Sequence, residues 1–137
     1  MLNLLARLKR TGFKYALSGI LAGPRFSKMK ELEVVNQKNL ALAIQLRYEL
    51  HQHPELSNYE TWTKQHLIDF LKVNTSLEIV DRGRWFYAIY HAGEGKEKVA
   101  FRADFDAIKM KEGIDLPHAS RFPGVSHKCG HDGHAAS

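Results

Sequence analysis

Within the nine residues 126–134, the run SHKCGHDGH gathers three histidines, an aspartate and the only cysteine of the chain, punctuated by two glycines. Thiolate and imidazole together suit zinc best, although softness alone leaves manganese and cobalt open. Cys129 and His131 stand two apart across Gly130. In extended backbone that spacing points both side chains the same way, onto one metal or two adjacent ones. The glycines at 130 and 133 permit a sharp bend, and Asp132 is placed to cap a helix opening at the end of the run. Two donors cannot fill a tetrahedral metal sphere. The upstream candidates to complete it are Asp104, Asp106, His118, His51 and His53.

Each of these residues also has a plainer reading. A cysteine near a histidine is more often a small buried hydrophobe beside a surface imidazole. His127 and His134 read as hydrogen-bonding neighbours rather than ligands. His51 and His53 could chelate by their H-x-H spacing, but at a helix end they read better as packing or carbonyl-capping groups.

The elements that must position these residues follow from periodicity. Over residues 30–51, Leu32, Val35, Leu40, Ala43, Ile44, Leu46 and Leu50 recur at three- and four-residue steps, the stripe of an amphipathic helix. Pro54 disfavours helical geometry at His53. Ser57-Asn58-Tyr59-Glu60 has the form of a capping box opening a second helix. Trp62, Leu67, Phe70 and Leu71 give that helix a buried side, and the segment VNTS (residues 73–76) closes it.

The period then changes. LEIV (77–80), WFYAIYH (85–91) and KVAFRAD (98–104) are short β-branched and aromatic runs separated by glycine-containing turns. They predict three strands, the first two a hairpin. On the third, Arg102 and Asp104 share a face, which is costly to bury unless they are paired or near a metal. The expected fold class is α/β, helical cover over a sheet, with no repeat or low-complexity segment.

The chain has 137 residues, one domain's worth, and ordinary hydrophobic and charged content. A single cysteine cannot form an internal disulfide, which favours a reducing, cytoplasmic setting. No run approaches the roughly 18 apolar residues of a membrane span. The net charge of +5 is uneven: residues 1–28 carry six basic residues and no acid, leaving 14 basic against 15 acidic residues in the remainder. Residues 1–28 are read as a basic leader or extension, expected to be poorly ordered, with residues 29–137 as the domain. The leader admits organelle targeting, secretion, or surface binding to membrane or nucleic acid through its charges. An upstream extension with Met29 opening the domain is the favoured reading. Nucleic acid is disfavoured because no aromatic stacking pattern accompanies the charge.

Three separated segments, LRYELHQHPELSNYE, FRADFDAI and GVSHKCGHDGHAA, together resemble the amino-terminal markers of the M20 metallopeptidase family. The nearest branch is the amidohydrolases that cleave N-acyl amino acids, hippurate-like substrates and aminoacyl conjugates. The resemblance runs from about Leu46 onward. It implies the amino-terminal part of a zinc-peptidase-like α/β catalytic domain, with a lid or dimerisation domain elsewhere and a homodimeric enzyme. It implies that Cys129 and His131 are metal ligands of a two-ion centre, zinc or manganese, and that Asp106 supports a ligand from behind. Asp104 stands where other branches carry a ligand histidine, so its role is open. The family's remaining ligands and its general-base glutamate come later in its sequences than the segments matched here.

The implied reaction is metal-assisted hydrolysis of an amide bond, with no nucleic-acid or membrane partner. The alternative is a truncated, inactive fragment that binds metal weakly or not at all. Lys109, Ser126 and Ala135 replace the proline, methionine and threonine usual in the family, which bears on substrate choice more than on metal binding.

Overall fold

A computed structural model describes residues 24–95 and 97–137. Most of the predicted leader, residues 1–23, lies outside the described residues. The chain divides into two units at Ala41/Leu42, and the chemistry-bearing residues all lie in the second.

Helix α1 (Pro24–Gln52) begins earlier than the residue-30 start predicted from periodicity. A proline suits a first helical turn, where its missing N–H has no intrahelical partner to lose. Of the predicted stripe, Leu46 and Leu50 are buried, whereas Leu32, Val35, Leu40 and Ile44 are exposed. The helix stops before Pro54, as expected. Its final carbonyls are satisfied locally: Leu50 O accepts from the His53 amide (3.0 Å), Gln52 O from the Arg121 amide (3.0 Å), and Glu49 O from the His53 ring (2.9 Å).

Helix α2 (Thr61–Asn74) opens one residue beyond the predicted box, but the box itself does not form. Glu60 makes no side-chain cap. The carboxylate of Glu55 instead accepts from the amides of Trp62 (3.2 Å) and Thr63 (2.8 Å), occupying two of the free donors of the first turn. Asn58, at φ 72°, makes the reversal that brings Glu55 there, and asparagine tolerates this left-handed geometry. The C-terminus matches expectation: Asn74 and Thr75 side chains donate to the carbonyls of Phe70 and Leu71.

Strands β1 (Glu78–Asp81) and β2 (Phe86–Ile89) form the predicted antiparallel hairpin, with Glu78 opposite Ile89 and Asp81 opposite Phe86. Lys64 of α2 fastens its turn, reaching both Asp81 oxygens at 2.9 Å and the Gly83 carbonyl. The third predicted strand is not formed. A strand needs a ladder partner, and among the described residues none pairs with residues 98–104; Val99 and Phe101 are 77% and 95% exposed. Arg102 and Asp104 do pair, at 2.8 Å, but in solvent rather than in a core.

Pairing resumes just beyond. Ala107 donates to Glu55 O (2.7 Å), and Ile108 and Ser126 exchange two bonds of 3.1 Å. The short helix α3 (His131–Ala136) completes the order. Leu46, Leu50 and Leu67 form the buried cluster, with Phe70, Phe86, Phe105, Ala135 and Ala136 packed against it. Each fully buried leucine contributes roughly 1.5–3 kcal/mol. The cluster therefore joins α1, α2, the hairpin, the segment that carries Asp106, and α3. Among the described residues no helix is long and apolar enough to cross a membrane.

Candidate metal centre

Two short segments carry the predicted ligands. Asp106 sits between Phe105, which packs on the core, and Ala107, which is buried and bonded to Glu55. Across from it, the chain turns through residues 127–130. The Gly130 amide donates to His127 O (3.0 Å), and the Gly130 carbonyl accepts from Gly133 (3.0 Å) and His134 (3.1 Å) to start α3. Gly130 has φ 78° and ψ 18°, a left-handed conformation that costs an L side chain about 1–2 kcal/mol. A β-carbon there would meet no atom within 4 Å, so the backbone angle, not space, calls for glycine.

This turn delivers His131 to Asp106. The ring Nδ1 lies 2.8 Å from Asp106 Oδ1 and 3.1 Å from Asp106 O. With Nδ1 donating to the carboxylate, Nε2 keeps its lone pair and has no partner among the described residues. That is the arrangement by which carboxylates orient metal-ligating histidines. Cys129, two residues earlier, is a free and exposed thiol. The donor chemistry therefore fits two positions of a soft or borderline divalent ion. Among the described residues no group of three or more His, Cys, Asp or Glu side chains converges to hold one.

The other sequence candidates go elsewhere. His53 caps the Glu49 carbonyl and packs against Trp62, with ring centres 4.5 Å apart. His118 stacks on Tyr48 at 3.9 Å. His134 lies over His131, ring to ring, at 5.6 Å. Asp104 is held below the usual carboxylate range by its hydrogen bond from Arg102, with the charge of Arg102 adding to the effect. His127 is buried, and neither ring nitrogen makes a well-formed hydrogen bond among the described residues. Burial pushes its imidazole toward the neutral form against the pull of Asp132.

Asp132 does not cap α3, as its position suggested. It is 1% exposed, because it turns inward to His51 and Arg47. His51 Nδ1 lies 2.9 Å from Asp132 Oδ2, and Arg47 Nε reaches the same oxygen at 3.2 Å. The other ring nitrogen of His51 lies 2.9 Å from Glu112 Oε1. Burial raises the Asp132 carboxyl, but the bonds from His51 and Arg47 outweigh it and leave the group below its ordinary range. Glu112 is lowered from 4.5 to about 2, chiefly by the Ser120 amide at 2.7 Å, then by His51, against the opposing effect of burial. Sequence reasoning missed this network. Its only local trace is that an acid directly follows a ligand-type histidine.

No family model matches the chain. Individual proteins do. The chain is 38% identical over 97 residues to N-acetylcysteine deacetylase of Bacillus subtilis, covering 69% of this chain and 25% of that protein. It is 37% identical over 111 residues to an uncharacterized hydrolase of Staphylococcus aureus (strain USA300), covering 80% of this chain and 26% of the relative. Among solved structures, it superposes on the Bacillus subtilis YXEP protein, a dinuclear metal binding peptidase from the M20 family. The TM-score is 0.67 at 36% identity, covering 73% of this chain and 29% of that one. The order helix, helix, sheet, helix matches the corresponding part of that α/β fold. The chain spans about a quarter of the length of the curated relatives it matches.

Proposed function

We propose that this homologue of M20-family amidohydrolases and peptidases supplies the thiolate and imidazole of a two-metal centre that hydrolyses the amide bond of N-acyl amino acids or similar conjugates. The observation that carries this reading is His131, its Nδ1 fixed by Asp106 and its Nε2 without a partner among the described residues, two residues from the exposed thiol of Cys129. Cys129 and His131 would hold the ion, Zn²⁺ or Mn²⁺. When bound, such an ion supplies Lewis acidity that polarises a carbonyl and activates water near neutral pH.

The part played by these residues is positional. Asp106 keeps a proton on Nδ1 and so aims Nε2 outward, and the left-handed Gly130 sets the angle between the two donors. No residue of this chain is assigned as general base. Residues 29–137 are read as part of the catalytic domain, and a cytoplasmic, reducing setting suits a cysteine that must remain a thiolate.

Residues 1–137 alone are proposed to be catalytically inactive and to bind metal weakly at most. The reading is supported by the absence, among the described residues, of any group of three or more His, Cys, Asp or Glu side chains placed to hold an ion, where a tetrahedral sphere needs four donors. The test is metal analysis of the purified chain, followed by assay of N-acyl amino acid hydrolysis with added Zn²⁺ or Mn²⁺. No turnover is expected, together with weak metal uptake that the double change Cys129→Ser, His131→Ser abolishes. Turnover by the chain would overturn this assignment, as would stoichiometric zinc whose chelation unfolds the protein.

A further inference from the structure

The turn carrying Cys129 and His131 is flanked by two charged residues, and both lead to one imidazole. On the far side, Asp132 directly follows His131 and accepts from His51 Nδ1 at 2.9 Å. On the near side, Lys128 directly precedes Cys129 and reaches Glu112 Oε1 at 3.4 Å. That same oxygen faces His51 Nε2 at 2.9 Å. The His51 side chain is 8% exposed, the Glu112 side chain 8% and the Asp132 side chain 0%. The two bonds of His51 are therefore shielded from water, where hydrogen bonds to charged groups are strong, while the outer Lys128–Glu112 contact is exposed.

His51 is itself immobilised. It projects from the last turn of α1, one residue after the fully buried Leu50. His118 packs edge-on against its ring at 5.3 Å and is in turn stacked on Tyr48. Outer partners fix both carboxylates: Arg47 holds Asp132, and the Ser120 amide holds Glu112. Asp132, on one side of the pair, bonds His51 directly, and Lys128, on the other, reaches it through Glu112.

We propose that His51 is a positioning residue that pre-sets the Cys129-Gly130-His131 turn for metal by clamping both of its flanks to the end of α1. The inference deepens the reading of Cys129 and His131 as ligands and rests on it for its purpose, but the clamp can be measured without metal.

The experiment is amide hydrogen exchange on the full metal-free chain, unchanged and as His51→Gln. The amides of Gly130, Gly133 and His134, which close the turn and start α3, should exchange at least about tenfold faster in the variant, while those of α2 around Leu67 change less than about twofold. A residue that merely stabilises the fold would speed both sets alike, so a uniform increase, or no increase in residues 130–134, overturns the proposal. Should His51→Gln fail to fold, Lys128→Gln opens the near flank alone and must show the same local pattern at smaller amplitude.

A parallel cobalt titration, read by the thiolate-to-cobalt absorption, separates the two readings. If the unchanged chain binds Co²⁺, His51→Gln should bind it about 10–100-fold more weakly, and equal affinity overturns the clamp's role. If the unchanged chain gives no thiolate–cobalt signal, as weak binding by residues 1–137 alone allows, the exchange pattern by itself decides the clamp.

Discussion

Replacing Glu112 by glutamine removes a nearly isosteric carboxylate from a buried network and should make stability depend on pH in a defined way. The folded chain holds this carboxyl at about 2 against an ordinary 4.5. At 1.36 kcal/mol per unit, that difference is worth about 3 kcal/mol of folded-state stability. A lowered folded-state value means the contribution is fully present above the unfolded value of 4.5 and is lost as pH falls through about 2. At neutral pH, Glu112→Gln should therefore unfold with up to about 3 kcal/mol less free energy than the unchanged chain, solvent screening reducing the difference. As pH falls from about 5 to about 2 the gap should close, because the unchanged chain then carries a neutral carboxyl where the variant carries a neutral amide. Urea unfolding followed by circular dichroism at several pH values measures the gap directly. A gap as wide at pH 2 as at pH 7 would refute the electrostatic account and leave only a packing or hydrogen-bond defect.

Two further outcomes follow from the elements around the site. Glu55→Ala should cost about 1–2 kcal/mol by uncapping α2, whereas Ser57→Ala should fall within about 0.5 kcal/mol of no change; thermal melts distinguish the true cap from the box that the sequence suggests. Asp106→Asn should weaken any cation binding at Cys129 and His131 by about 10–100-fold, because a carboxamide can present its N–H₂ to Nδ1 and release the ring from its fixed orientation. Cobalt or zinc titration reads this, and unchanged affinity would separate Asp106 from the metal.

What was legible in the sequence was what is local. The change of period from α2 to the hairpin could be read from a dozen residues at a time. So could the Cys129–His131 spacing, because the turn that sets it lies wholly within residues 127–134. Glu55 was missed as a cap because it acts from outside the four-residue box, across a reversal at Asn58 that the pattern does not announce. The run 98–104 has strand composition, but composition supplies propensity and not a partner, and pairing is a property of neighbours. The two histidines of the H-x-H pair show the same limit. His53 serves its own helix end, as expected, while His51 bonds to a carboxylate 81 residues away, a relation no local spacing encodes.

The ribbon that found no ladder governs how this polypeptide behaves in bulk. Amide and carbonyl groups with no ladder partner among the described residues, beside an outward-facing Phe101, form a sticky rim able to template another extended strand. Lys98 stands beside it as a gatekeeper, whereas Asp104 neutralises Arg102. The repulsion that Lys98 adds between molecules weakens as added salt shortens the Debye length.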